Sequence, residues 1–202
     1  MSQPSLLDVA LIVAAELRRL GIPHLIGGSV ASMLHGEPRL TNDVDFAAVM
    51  REPHIAPFVQ ALRGPFYVDE VLIRDAIQRR GMFNVIHIAS ANRVDVHVLE
   101  PDKFQRGQLE RAVQVQLMPH HEIRVPVASA EDTVLQKLYA QREGEGACEC
   151  QLRDVLGVLK LQGGRLDLAY MRFWARDLQL TENLERLLRE AGIERGVTVE
   201  MA

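Results

Sequence analysis

Three acids are spaced along this chain as metal-dependent chemistry on phosphate would require. Asp43 and Asp45 are separated by one residue within Asp43-Val44-Asp45-Phe46-Ala47-Ala48-Val49, a run that reads as a buried strand. Residues two apart on a strand face the same side, so the two carboxylates project together, about 6–7 Å apart along the backbone. Like charges at the edge of an apolar core repel unless a cation neutralises them, and hard oxygen ligands suit Mg²⁺ or Mn²⁺. A third acid, Asp95, sits in the alternating run Arg93-Val94-Asp95-Val96-His97-Val98-Leu99. The preceding run Met82–Ile88 and the polar Ser90-Ala91-Asn92 predict a hairpin that returns Asp95 to the same sheet, beside the first two acids.

Upstream, His24-Leu25-Ile26 predicts a strand running into Gly27-Gly28-Ser29, after which Val30, Ala31, Met33 and Leu34 fit a short helix. Glycines at that junction let backbone N–H groups approach a phosphate at the helix N-terminus, and the Ser29 hydroxyl adds a donor. Arg39 and Thr41 immediately precede the acids, and a guanidinium fork matches phosphate oxygens, so both are candidate triphosphate contacts.

Gly27-Gly28-Ser29, then Arg39-Leu40-Thr41-Asn42-Asp43-Val44-Asp45-Phe46, then Asp95, resembles the nucleotidyltransferase superfamily of the DNA polymerase β type. The form with Arg39 and Thr41 before the acids resembles the subgroup containing abortive-infection toxins. The resemblance implies transfer of a nucleoside monophosphate from an NTP, ATP among them, to an acceptor, with release of pyrophosphate. Mg²⁺ or Mn²⁺ would be held by Asp43, Asp45 and Asp95, and Gly27, Gly28, Ser29, Arg39 and Thr41 would bind the nucleotide. In the toxin-like subgroup a lysine on a later helix and an aspartate on the next are counted with the active site. By order and context, Lys137 and Asp154 match them. The implied acceptors are tRNA, a protein hydroxyl or a small molecule such as an aminoglycoside, and the toxin reading brings an antitoxin protein as partner in a bacterial cell. The alternative is a nucleotide-binding or regulatory module that keeps the fold and catalyses nothing.

The elements that must position these residues follow from periodicity. Residues 5–20 predict a helix with Leu6, Val9, Ile12, Val13 and Leu17 on one face, ended by Gly21 and Pro23. Helices are expected near 54–63, 69–80 and 102–111, strands near 82–88 and 93–99, and a second hairpin from 113–117 and 123–125. From Ser129 onward the pattern is helical, Ser129 and Asp132 forming an acidic variant of the capping box. The expected fold class is α+β: a small mixed or antiparallel sheet flanked by helices, then a helical C-terminal part. The expected domains are 1–128, catalytic, and 129–202, helical, with Pro126 separating strand from helix.

Other features take plainer readings. With 23 basic and 27 acidic residues and a net charge of −4, no global basic field announces nucleic acid. Cys148 and Cys150 are too few and too close for a disulfide framework, which fits a reducing cytoplasm, and they lack a second pair at zinc spacing. No apolar run approaches membrane-spanning length. Adjacent side chains of His120-His121-Glu122 point to opposite faces of an extended hairpin and read as surface. His97 shares a face with Asp95, which makes it a candidate to line the site, but its plainer reading is a strand histidine; Met171-Arg172-Phe173-Trp174 with Leu178 and Leu184 reads as the core of the last helices.

Overall fold

A computed structural model of the chain describes residues 3–119, 121–144 and 149–193. His120 and Cys148 lie outside the described residues.

Helix α1 (Leu6–Arg19) opens on the Ser5 hydroxyl, which accepts from the Asp8 amide at 3.2 Å, while the Asp8 carboxylate accepts from the Ser5 amide at 2.8 Å. It ends at Gly21, whose φ of +66° a residue with a side chain adopts at a cost. Strand β1 (His24–Ile26) leads into α2 (Gly28–His35), and β2 (Asp43–Ala48) follows. A 3-10 turn precedes α3 (Ile55–Leu62). Strand β3 (Phe66–Tyr67), helix α4 (Glu70–Arg79), strands β4 (Met82–His87) and β5 (Arg93–Val98), helix α5 (Lys103–Arg111) and strands β6 (Val113–Gln116) and β7 (Arg124–Val127) come next. The remaining described elements are helical: α6 (Ala130–Arg142), α7 (Glu149–Gln162), α8 (Leu168–Asp177) and α9 (Thr181–Glu190).

The strands form one mixed sheet in the order β3-β4-β5-β2-β1-β7-β6. The adjacent pairs β3–β4, β4–β5, β1–β2 and β6–β7 are antiparallel, whereas β2–β5 and β1–β7 are parallel. The α+β class with a mixed sheet flanked by helices is therefore the observed one. Alternation divides the central strands cleanly. Val44, Phe46 and Ala48 of β2, Val94 and Val96 of β5, and Phe83 and Val85 of β4 are buried. Phe58 of α3 packs edge-on against Phe83, ring centroids 6.2 Å apart, so this is the helix-covered face. Asp43, Asp45, Asp95 and Asn84 occupy the alternate positions and share the other face.

Some local expectations change. Ile12 is 41% exposed and Leu11 is buried in its place, because the core-facing stripe of α1 runs through Val9, Ala10, Val13, Ala14 and Leu17. Pro126 does not separate strand from helix but lies inside β7, opposite Gln114 of β6. The Ala128 amide donates to Ile26 O at 2.8 Å, and the nitrogen two residues earlier faces the same flank. Proline has no N–H to donate there, and β1 pairs with β7 only at Ile26–Val127. Met171 and Leu184 are core residues as expected, but Phe173 is 60% exposed.

The described residues divide into two compact units. The first runs to Ala31 and resumes over Arg39–Ser129; the second comprises Ser32–Pro38 and the residues from Ala130. The first contains the whole sheet. In the second, Gly36 belongs with α7: a Cβ at residue 36 would stand 2.8 Å from Val158 N, so only glycine fits without a shift.

Candidate active site

The acid face is assembled by strand register. Parallel pairing of β2 with β5 sets Asp43 opposite Arg93, Asp45 opposite Asp95 and Ala47 opposite His97. Antiparallel pairing of β4 with β5 sets Asn84 against the other flank of Asp95. Paired residues in adjacent strands point to one face, so all three acids predicted from sequence are brought together.

Asp95 is the most enclosed of the three, its side chain 7% exposed against 32% for Asp43 and 29% for Asp45. Its Oδ1 accepts from Asn84 Nδ2 at 2.6 Å and from Arg93 Nε at 2.9 Å. Burial pushes the Asp95 carboxyl above its ordinary value of 3.8, and Asp45 and Asp43 add to that; the Asn84 hydrogen bond and the Arg93 charge oppose it. The Arg93 guanidinium also reaches Asp43 Oδ2 at 3.1 Å, so one side chain bridges two of the acids. His97 Nε2 stands 3.6 Å from Asp45 Oδ1 with its side chain half exposed, so it lines the acid face, contrary to its plainer reading. Arg93 and Asn84 were not singled out as site residues. Their signal was their place in the alternation: Arg93, like His97, lies two residues from Asp95, and Asn84 holds the same phase in the neighbouring strand.

The glycine turn meets the acids directly. Gly27 N–H donates to Asp45 O at 2.9 Å, tying the turn to β2. Gly28 opens α2 with φ +54°, and a Cβ placed there would stand 1.8 Å from Asp45 Oδ2. Only glycine allows the helix N-terminus to approach the carboxylate so closely. The first turn of α2 is closed by the bond from Ala31 N to Gly27 O at 3.1 Å. Arg39 Nη2 donates to Ser29 Oγ at 2.7 Å, and Thr41 Oγ1 to Asp43 Oδ1 at 3.1 Å. Gly27, Gly28, Ser29, Arg39 and Thr41 thus lie in the same unit as the acids, Gly27 and Gly28 against Asp45, Thr41 on Asp43 and Arg39 on Ser29.

Lys137 and Asp154 are brought to one another within the second unit. Lys137 Nζ lies 2.9 Å from Asp154 Oδ2 and donates to Gln151 Oε1 at 2.7 Å, both charged side chains being under one-tenth exposed. Nearby on α6, Asp132 Oδ1 accepts from Tyr170 Oη at 2.6 Å. This polar seam joins α6 to α7 and α8.

The donor set of Asp43, Asp45 and Asp95 is the hard carboxylate oxygen that Mg²⁺ and Mn²⁺ take, and in chemistry it fits such an ion. In the arrangement described, Arg93 stands between Asp43 and Asp95. Among the described residues no three acid, histidine or cysteine side chains are gathered closely enough to enclose an ion.

No protein-family model matches the chain, and no curated protein matches it. Solved structures do. The solution structure of the antibiotic-resistance factor ANT(2'')-Ia superposes with a TM-score of 0.53 at 15% identity, covering 88% of this chain and 96% of that one. The crystal structure of ANT(2'')-Ia in complex with adenylyl-2''-tobramycin gives 0.50 at 15% identity, covering 84% and 95%. An antigenic nucleotidyltransferase-like protein from Paracoccidioides brasiliensis is 19% identical over 94% of each chain, with a TM-score of 0.48. The chain therefore has the fold of ANT(2'')-Ia, and here that fold sets Asp43, Asp45 and Asp95 on one face of the sheet.

Proposed function

We propose that the chain is a Mg²⁺-dependent nucleotidyltransferase that moves a nucleoside monophosphate from an NTP to an acceptor hydroxyl. The acceptor oxygen attacks the α-phosphorus, the bond to the bridging oxygen of the β-phosphate breaks, and pyrophosphate leaves. The observation that carries this reading is the alignment of Asp45 with Asp95 in adjacent strands, Asp43 on the same face, and the Gly28 turn against Asp45. Asp43, Asp45 and Asp95 would hold the divalent cation, which when bound supplies Lewis-acid stabilisation of charge developing on the phosphate oxygens. Gly27, Gly28 and Ser29 form the turn that would cradle the triphosphate, with the Ser29 hydroxyl as a donor, and Arg39 and Thr41 border them. Asp95, paired with Asp45 on the acid face, takes the proton of the acceptor hydroxyl. Residues 1–128 carry this chemistry; Lys137 and Asp154, which the family resemblance would add to the catalytic set, pair with each other in the helical unit.

For the acceptor, the fold shared with an enzyme seen with adenylyl-2''-tobramycin supports a small polyhydroxylated amine over tRNA or a protein hydroxyl. The net charge of −4 supports the same choice, since a long RNA footprint calls for a basic surface. Purified protein incubated with each α-labelled NTP and a panel of aminoglycosides, tRNA and protein should label the first class. Asp43→Asn and Asp45→Asn together should abolish it, and undiminished transfer by that variant would refute the mechanism. Labelling of tRNA or protein instead, with growth arrest relieved by an antitoxin partner, would establish the toxin reading. Among the described residues no helix is long and apolar enough to cross a membrane, which is compatible with a cytoplasmic enzyme.

One observation favours a second reading. Arg93 neutralises two of the three acids, as expected of a fold that binds a partner and catalyses nothing. Nucleotide and Mg²⁺ binding without transfer to any acceptor would favour that module.

A further inference from the structure

We propose that Arg93 is the resident counter-ion of the acid cluster: it holds the place of the divalent cation and yields it when the ion arrives with a triphosphate. This rests on reading Asp43, Asp45 and Asp95 as cation ligands. Three features carry it. The guanidinium bridges Asp43 Oδ2 and Asp95 Oδ1 at 3.1 and 2.9 Å, within the space a cation would share with them. Its side chain is 47% exposed while its Cα is fixed by pairing to Asp43, so the head group can swing out without any backbone change. Asn84, by contrast, donates to Asp95 Oδ1 from the neighbouring strand and keeps that carboxylate oriented whether or not Arg93 is present.

The device has a physical purpose. Three carboxylates facing one another with no cation would repel, and one fork of donors relieves that. A bare Mg²⁺ must compete with the fork. A Mg²⁺ carrying a triphosphate offers the displaced guanidinium phosphate oxygens in exchange, so ion and nucleotide bind together and an ion alone binds poorly.

The test is Mn²⁺ titration of the metal-free full chain, followed by electron paramagnetic resonance, without nucleotide. Arg93→Gln should bind Mn²⁺ on the order of tenfold more tightly than the wild type, the scale expected for removing one unit charge a few ångströms from a partly exposed site. Arg93→Lys, which keeps the charge and loses the fork, should fall between them and guards against a folding defect in the neutral variant. Adding an unreactive α,β-methylene NTP should close the gap, because only the wild type then gains phosphate contacts from Arg93. Equal Mn²⁺ affinity in all three proteins would overturn the role of Arg93 and leave the acids as ligands. If neither the wild type nor Arg93→Gln binds Mn²⁺, with or without nucleotide, the acids are not cation ligands and both proposals fall.

Discussion

Replacing Gly28 by alanine puts a methyl group where Asp45 already stands. The added Cβ would lie 1.8 Å from Asp45 Oδ2, 2.6 Å from its Cγ and 2.9 Å from its Cβ, so rotating the carboxylate tip cannot relieve the overlap and the whole side chain must move. The φ of +54° at Gly28 separately costs an L-residue roughly 1–2 kcal/mol. Forcing the Asp45 side chain off its rotamer adds about 0.5–1.5 kcal/mol. The sum is about 1.5–3.5 kcal/mol. Gly21 provides the control: its φ is +66°, yet a Cβ there meets nothing within 4 Å, so Gly21→Ala should show the backbone cost of roughly 1–2 kcal/mol alone. Urea denaturation of the two variants measures both stabilities. The functional consequence follows from position: an Asp45 carboxylate displaced by about 1 Å should lower nucleotidyl transfer about 100-fold, while Gly21→Ala leaves it within twofold of wild type. A Gly28→Ala protein no less stable than Gly21→Ala, with wild-type Mn²⁺ binding and transfer, would refute the claim that the glycine turn is packed on the acid.

Three other outcomes are expected. His24 is buried, its Nδ1 hydrogen-bonded to Ile22 O at 2.8 Å, and burial lowers its pKa below 6.5, with the Arg18 charge acting in the same direction. The unfolded chain therefore binds the extra proton first as pH falls below 6.5, and stability should drop there by at most about 1.4 kcal/mol per pH unit; His24→Asn, which keeps a donor at the Nδ1 position, should remove that slope in denaturation curves from pH 5 to 7. Lys137→Met should destabilise the protein by roughly 3–5 kcal/mol because it leaves Asp154 buried without its cation, and Lys137→Met with Asp154→Leu should recover most of that loss in thermal melts; a single variant within 1 kcal/mol of wild type would contradict the buried pair. Arg39→Met, which removes the donor to Ser29 Oγ, should raise KM for the NTP by about tenfold, one charge-assisted phosphate contact, with a Tm close to wild type.

Periodicity of two made the acid strand legible. Val44, Phe46 and Ala48 had to be inward, so Asp43 and Asp45 had to be on the other face whatever the sheet looked like. Alternation around Asp95 said the same of β5. The helix starts at Ser5, Asp69 and Asp102 were equally local, since each side chain caps amides two or three residues on. Ile12 and Phe173 were misjudged because a helical face is wider than the surface packed against it. Which edge of that face meets solvent is set by the neighbouring element.

The chain's own order of residues thus determined which side chains share a strand face and where the glycine turn lies. Only the tertiary structure decided that β2 and β5 run parallel and pair Asp45 with Asp95, because a one-residue slip would have sent Asp95 to the apolar face. That register also puts Arg93 beside Asp43, Asn84 beside Asp95 and His97 within reach of Asp45. These are contacts between residues 11 to 52 positions apart, and no local pattern encodes them, since strand pairing is chosen by the burial of whole faces.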